Sequence, residues 1–143
     1  MSIALTGATG FIGRYIVRQL ASAGHKLRCW YRPASDRSEL DDVSASVEWI
    51  AGDLNDRRAS ADLVAGCDSL VHAALWRPGT GFRGAEGDLT EFVERNVVGS
   101  LRLIEAARKG GVGRFIFVST CAVHEKISTI DLSTRSIRHG RPA

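Results

Sequence analysis

Along this chain, segments whose apolar residues are spaced as in strands alternate with segments whose apolar residues are spaced as in helices. Five short apolar runs have the composition of strands, and the segments between them are either helical in spacing or rich in loop residues. Strands that alternate with helices indicate an α/β fold, in which a parallel sheet is covered by helices on both faces. We therefore predict a doubly wound parallel sheet of about five strands, at residues 3–5, 25–31, 47–50, 69–74 and 114–119.

The longest predicted helix lies before the last strand. Asp88 with Glu91 three positions later is typical of a helix N-terminus, and the pair Gly110 and Gly111 is typical of a helix end. The spacing predicts that one apolar stripe of this helix is buried, formed by Phe92, Val97, Leu101 and Ile104.

The first strand ends in a turn that contains Gly7, Gly10 and Gly13, and a helix follows as far as Gly24. Strand, glycine turn and helix together present backbone N–H groups and the positive end of a helix dipole to a phosphate. Gly7 is expected to make the tight turn, Gly10 to let the backbone approach a pyrophosphate, and Gly13 to bring helix and strand together. No Gly-Lys-Ser/Thr follows, which excludes a Walker phosphate loop. The motif predicts a dinucleotide site.

The segment TGATGFIG at residues 6–13 resembles the opening of the extended short-chain dehydrogenases/reductases, also called the NAD-dependent epimerase/dehydratase family. Further segments resemble the same family, and together they cover about residues 2–124. The resemblance implies a Rossmann domain at residues 1–125 that binds NAD or NADP. Residues 126–143 depart from the family pattern, and their polar, basic composition predicts an irregular tail. The resemblance also implies cofactor contacts in the turn from Gly7, Thr9, Gly10, Phe11, Ile12 and Gly13.

The end of the second strand bears on the choice between NAD and NADP. An acidic residue there would accept a hydrogen bond from the adenosine ribose and repel a 2′-phosphate. This chain has Arg32 instead, with Ser35 and Arg37 close behind it, and a guanidinium both stacks on adenine and binds phosphate well. These residues favour NADP, and Asp36 keeps NAD as the alternative.

Asp53 and Leu54 follow the third strand and precede a helix predicted at about residues 55–65. The family resemblance implies that Asp53 hydrogen-bonds the adenine amino group and that Leu54 packs on the ring. Asp53 is equally well placed to be the N-cap of the helix, and the sequence leaves both roles open.

The fourth strand ends at Ala73 and Ala74, whose small side chains leave room for a ligand. By resemblance, the backbone here lines the ribose and pyrophosphate of the cofactor. His72 is interpreted as a core histidine rather than a catalyst. Asn96, in the long helix, resembles the family's asparagine near the nicotinamide side of the site.

Residues 117–124 resemble the family's active-site strand end, where a Ser or Thr hydroxyl stands just after the fifth strand. The hydroxyl position falls on Thr120, with Ser119 as the alternative, and His124 stands where a tyrosine is usual.

The family's reaction also needs a tyrosine to transfer a proton and a lysine four residues later to lower the pKa of that tyrosine. Tyr15 and Tyr31, the two tyrosines of this chain, both lie upstream, and after Thr120 the one lysine is Lys126. The sequence therefore predicts a truncated or frameshifted chain without the catalytic Tyr/Lys pair, which would bind dinucleotide weakly and without turnover.

The amino-acid composition limits which partners, metal sites and cellular locations we expect for this chain. With 44% hydrophobic and 24% charged residues, the chain is typical of a globular protein, and no apolar run is long enough for a membrane span. The formal charge of +3 lies entirely in residues 126–143, which lack the aromatic residues of a nucleic-acid arm. Three dispersed cysteines and four dispersed histidines predict neither disulfides nor a metal site. We expect a cytoplasmic protein.

Three functions remain open from the sequence. The first is the cofactor-binding domain of an epimerase, dehydratase or reductase that acts on a sugar nucleotide or another secondary alcohol or ketone. The second is a non-catalytic module that senses NADP(H), and the third is a non-functional gene fragment. If a sixth strand is missing, we also expect self-association through an exposed sheet edge.

Overall fold

The structure, a computed structural model, describes residues 1–78 and 87–120. Within these ranges it contains one sheet of five strands in the order β3-β2-β1-β4-β5. Every neighbouring pair is parallel. The strands are β1 (Ser2–Thr6), β2 (Lys26–Tyr31), β3 (Val47–Ala51), β4 (Ser69–His72) and β5 (Arg114–Phe117).

Helices connect the strands. In the described ranges these are α1 (Phe11–Ser22), a 3₁₀ helix (Ser38–Ser46), α2 (Arg57–Val64), α3 (Leu89–Val93), a π-helical turn (Glu94–Val98) and α4 (Gly99–Lys109). The predicted doubly wound α/β sheet is confirmed. The domain boundary predicted at residues 125/126 lies outside the described residues.

Each face of the sheet has its own core. The face under α1 and the 3₁₀ helix buries Ile3, Leu5, Ala8, Val17, Leu27, Cys29, Leu40 and Val71. The opposite face, under α2 and α4, buries Ala4, Trp30, Leu54, Ala59, Leu63, Val64, Cys67, Leu70, Leu103 and Ala107. Alternate residues of β1 therefore enter different cores, as expected for a central strand that is covered on both sides.

Two helix starts are fixed by aspartate side chains. The side chain of Asp56 accepts hydrogen bonds from the backbone N–H groups of Arg58 (2.8 Å) and Ala59 (3.0 Å), which makes Asp56 the N-cap of α2. Asp53 instead accepts from the N–H of Asn55 at 2.7 Å in the turn before the helix, so its alternative role as the N-cap is wrong. Asp88 caps α3 through the N–H of Glu91 at 2.8 Å, as predicted.

Of the four residues predicted to form the buried stripe of the long helix, Phe92 is half-buried, and the prediction is wrong for the other three. Val97, Leu101 and Ile104 are 51%, 59% and 42% exposed, whereas Leu103 is fully buried. The reason is Gly99, at which a side chain would collide with the backbone and side chain of Leu54. The helix approaches the core at that glycine, and the residues one and two turns later, Leu103 and Ala107, become the buried face.

β5 forms one edge of the described sheet. Its residues Ile116 and Phe117 are 44% and 57% exposed. Self-association through this edge stays a prediction. In the described ranges, no helix combines the length and the apolar character required to cross a bilayer.

The buried and exposed sides of α4 provide a matched pair of substitutions. Leu103→Ala should lower the free energy of unfolding by about 2–5 kcal/mol, because it opens a cavity in a closed core. Leu101→Ala, two positions earlier on the exposed side, should change it by less than about 0.5 kcal/mol. Urea denaturation of the two variants measures both values, and equal losses would contradict the facing of the helix.

Candidate functional site

The turn after β1 brings the backbones of three elements together. Gly7 has φ +75°, and a side chain at this position would lie 2.7 Å from the backbone of Ala73 and Ala74. A side chain at Gly13 would collide with the carbonyl of Gly7, so α1 can pack against the turn only with glycine there. The roles predicted for Gly7 and Gly13 thus have a direct geometric basis. Ala73 and Ala74 lie beside the same turn.

The N-terminus of α1 opens onto this turn. Gly10, which has no side chain, is its N-cap, and the first turn of the helix contains no acidic residue. The N–H of Gly10 donates to the carbonyl of Gly7 at 3.0 Å, which closes the turn. Phe11 and Ile12 are 68% and 53% exposed at the same end. The N–H groups of the first turn of α1 and the positive end of its dipole therefore face the carboxyl edge of the sheet, where an anion can bind.

One cleft lies between the ends of β2 and β3. Its volume is about 500 Å³, and Arg32 and Asp53 line it together with Pro33, Ala34, Gly52 and Asp56. Arg32 and Asp53, predicted as adenine and ribose contacts, are thus brought together. Leu54 does not line this cleft; it is 6% exposed and packs in the core under α2 and α4.

A second cleft lies between the glycine turn and the 3₁₀ helix. It has a volume of about 190 Å³ and is lined by Thr9, Arg14, Asp36, Glu39 and Leu40. Glu39 forms an ion pair with Arg14. Asp36 accepts from the N–H of Ser38 at 2.9 Å and from its hydroxyl at 2.7 Å, and these hydrogen bonds lower the pKa of Asp36. We call this space the ribose-side cleft, after the adenosine ribose that the sequence predicts near the end of the second strand.

Two of the residues that favoured NADP have partners within the protein. The Arg37 guanidinium lies over the ring of Tyr31 at 4.4 Å and over that of Trp49 at 5.5 Å. The Ser35 hydroxyl accepts from the N–H of Arg32 at 3.1 Å. Arg37 is therefore occupied by aromatic stacking, whereas the Arg32 side chain is exposed at its cleft.

A buried network of hydrogen bonds lies next to the glycine turn. His72 is 1% exposed; its Nδ1 lies 2.6 Å from the Thr6 hydroxyl and its Nε2 lies 2.7 Å from the Ser100 hydroxyl. The Ser100 hydroxyl donates to the carbonyl of Asn96, and the N–H of Ala74 donates to Thr6 Oγ1 at 3.2 Å. The Ser100 oxygen is therefore an acceptor for His72 Nε2–H, and Nδ1 is left to accept from Thr6.

This arrangement suits a neutral imidazole. A second proton on Nδ1 would displace the Thr6 hydroxyl from its acceptor, and burial away from water penalises the charged ring. Burial lowers the pKa of His72 to about 4. His72 is thus a core histidine, as interpreted from the sequence, and it joins β1 to α4.

Asn96 uses its side chain within the protein. Its Oδ1 accepts from the N–H of Trp76 at 2.7 Å, and its Nδ2 donates to the carbonyls of Trp76 (2.9 Å) and Phe92 (3.0 Å). Asn96 thereby fixes the backbone that follows β4. The nicotinamide contact implied for Asn96 stays a prediction.

The predicted catalytic hydroxyls lie at the carboxyl edge of the sheet. β5 pairs with β4 as far as His72 and Phe117, and the N–H of Val118 donates to the carbonyl of His72 at 2.9 Å. Ser119 and Thr120 follow directly and are exposed. Their catalytic role stays a prediction, and His124 and Lys126 lie outside the described residues.

The remaining nucleophilic and metal-binding residue types lie apart from these clefts. Burial raises the pKa of the Cys29 thiol to about 12, and it also raises the pKa of Cys67. Cys121 lies outside the described residues. Where the structure is described, no three His, Cys, Asp or Glu side chains gather as metal ligands.

Sequence reasoning missed Arg14 and Glu39 as residues of the site. One local signal was present: an arginine in the opening turn of a helix is unfavourable beside the positive end of the helix dipole. Such a placement indicates an anionic partner. The partner itself, 25 positions away on another element, has no local signal.

Comparisons with known proteins agree on one family. Residues 3–141 match the NAD dependent epimerase/dehydratase family. Sterol demethylase protein B of Methylococcus capsulatus is 38% identical over 84% of this chain and 34% of its own length. Ceramide reductase of Caulobacter vibrioides is 37% identical over 86% of this chain and 36% of its own.

A solved short-chain dehydrogenase/reductase superfamily protein from Agrobacterium tumefaciens, with bound NAD, superposes with a TM-score of 0.65 at 28% identity. The match covers 84% of this chain and 33% of that one. The chain thus spans about a third of the length of the relatives that it matches.

The His72 network predicts a pH-dependent stability. An imidazole with a pKa near 6.5 when unfolded and about 4 when folded binds more protons in the unfolded state between these values. The free energy of unfolding should therefore fall, by up to about 3 kcal/mol, as the pH drops from about 6.5 to 4. His72→Gln should flatten this part of the curve, measured by urea denaturation at each pH. Parallel curves for the two proteins would contradict the prediction.

Proposed function

Because this chain belongs to the NAD dependent epimerase/dehydratase family, we propose that it binds a nicotinamide dinucleotide across the carboxyl edge of its sheet. The observation that carries the proposal is the side-chain-free contact of Gly7 with the backbone of Ala73 and Ala74, beside the open N-terminus of α1. Such a surface lets a pyrophosphate approach the backbone N–H groups closely. In α/β sheets, ligands bind where the strand order reverses, which here is between β1 and β4.

The adenosine end fits the two clefts that flank the end of β2. Arg32 offers a flat cation for stacking on adenine, and the Asp53 carboxylate offers an acceptor for its amino group. The ribose-side cleft offers carboxylates to a ribose diol and a guanidinium to a 2′-phosphate. Gly7, Thr9, Gly10, Phe11, Ile12, Gly13, Ala73 and Ala74 would hold the pyrophosphate and the second ribose.

We propose NADP as the preferred cofactor, on altered grounds. Of the residues after β2 that favour NADP, Arg32, Ser35 and Arg37, the last is stacked on Tyr31 and Trp49. Among the described residues, the cations that line the two clefts are Arg32, exposed at one cleft, and Arg14, which pairs with Glu39 at the other. Two guanidiniums on either side of the ribose are a stronger phosphate site than one.

The reaction proposed for the whole protein is oxidation or reduction of a secondary alcohol or ketone, sugar nucleotides included. A bound nicotinamide supplies the hydride chemistry. From this chain, the hydroxyl of Thr120, or of Ser119, would hydrogen-bond the substrate oxygen. No tyrosine follows Thr120 in the sequence to transfer the proton. We therefore propose that residues 1–143 bind the dinucleotide without turnover, as a cofactor-sensing module also would.

Gly10→Ala tests the proposal because it adds a methyl group at the proposed pyrophosphate surface, with one close contact that the turn must relieve by a few tenths of an ångström. The new Cβ would lie 3.1 Å from the Gly7 carbonyl oxygen, and Gly10 has an ordinary φ of −78°. The Kd for NADPH and for NADH, measured by fluorescence titration, should rise by at least about tenfold. Gly113→Ala is the matched control, since its Cβ would meet the protein only at 3.7 Å.

Circular dichroism and thermal unfolding of the two alanine variants verify that the fold persists. Absence of binding by the unmutated chain would overturn the proposal and favour a non-functional fragment. Measurable turnover of a carbonyl substrate would overturn the claim that the chain lacks its proton-transfer group.

A further inference from the structure

Arg14 and Glu39 face each other across the ribose-side cleft. The two side chains form an ion pair, and the Glu39 carboxylate raises the pKa of Arg14. They remain 27% and 58% exposed, so both groups are accessible from the cleft. Among the described residues, the buried Nε of Arg14 has no hydrogen-bond partner. The guanidinium is therefore engaged by the exposed Glu39 carboxylate and also lies over the Phe11 ring, 5.9 Å from its centroid. A guanidinium has more N–H donors than this one carboxylate uses.

We infer that Arg14 and Glu39 form a cofactor-discriminating pair, in which the Glu39 carboxylate and a 2′-phosphate compete for the same guanidinium. The inference rests on the proposed dinucleotide function. In this pair, Glu39 selects against a phosphorylated ribose, and Arg14 selects for one.

The charges of the cleft support this competition. Asp36 is held anionic by two hydrogen bonds from Ser38, so Asp36 and Glu39 together oppose the single positive charge of Arg14. A dianionic phosphate that enters the cleft meets both carboxylates and must take the guanidinium from one of them. A ribose diol carries no charge and can donate hydrogen bonds to the carboxylates as they stand.

The Glu39 side chain can release Arg14 while the 3₁₀ helix stays packed against α1. The carboxylate of Glu39 is exposed, and the 3₁₀ helix is tied to α1 by a second set of contacts one turn farther from the glycine turn. There, Arg18 donates to the backbone carbonyl of Glu39 and pairs with Asp42, with 3.4 Å between Arg18 Nε and Asp42 Oδ2. Neither contact uses the Glu39 side chain.

This second ion pair supplies a matched control. Asp42 lies in the same 3₁₀ helix as Glu39, its side chain is 61% exposed, and it pairs with an arginine of α1. It does not line the ribose-side cleft. Asp42→Asn therefore removes one negative charge from the same interface without changing the charge in the cleft, and Glu39→Gln removes one from the cleft itself.

The test measures the Kd of NADH and of NADPH for the unmutated chain, E39Q, D42N and R14Q at one ionic strength. E39Q should raise the ratio Kd(NADH)/Kd(NADPH) by on the order of tenfold, because the 2′-phosphate gains an uncontested guanidinium. R14Q should lower this ratio below that of the unmutated chain, and D42N should leave it within about twofold. Thermal unfolding confirms that each variant is folded.

The outcomes separate the inference from the function on which it rests. If the unmutated chain binds either dinucleotide but E39Q leaves the ratio unchanged, the discriminating pair is overturned and the proposed function stands. A ratio raised equally by E39Q and D42N also overturns it, since the effect would then be one of overall charge. If no form binds either dinucleotide, the proposed function fails and the inference fails with it.

Discussion

The close contact of three backbones at Gly7 is the constraint on which the site depends. β1, the start of α1 and the end of β4 meet there without a side chain between them, because Gly7 faces Ala73 and Ala74 and Gly13 faces Gly7. The contact requires β4 to lie directly beside β1, and the observed ladder from Ile3–Ser69 to Thr6–His72 is that arrangement. The chain reaches β2 and β3 on one side of β1 and crosses to β4 and β5 on the other. The proposed phosphate-binding surface and the reversal of strand order thus coincide at one packing contact.

A polar network holds this contact in register. The Thr6 hydroxyl bridges the ring of His72 and the N–H of Ala74, so the last residue of β1 positions the backbone that faces Gly7. Ser100 extends the network to α4. An apolar core at these positions would pack as well but would not fix which carbonyl and which N–H lie opposite each other, since dispersion contacts carry little directional preference. The cost is a buried imidazole that must stay neutral, and this couples the stability of the domain to pH.

Strands, the glycine turn and most helix ends could be predicted from the sequence because their signals are local. The period of apolar residues, a glycine with positive φ and a capping aspartate each act within a few positions. The buried face of α4 could not be predicted from the sequence, because it is determined by contact between Gly99 and Leu54, which are distant in sequence. Asp53 and Asp56 illustrate the same limit at short range. Both are good N-caps, and only the position at which α2 begins decides between them.

The ribose-side cleft shows why a cofactor preference is difficult to derive from one loop. Arg32 and Arg37 are near neighbours in sequence, yet one is exposed at a cleft and the other is stacked on Tyr31 and Trp49. Arg14, which comes from a different element, lies in the cleft instead, opposite Glu39. What a 2′-phosphate encounters is the sum of charges that face the cleft, and this sum depends on how α1 packs against the 3₁₀ helix. The proposed selectivity therefore depends on that interface as well as on the residues that follow β2.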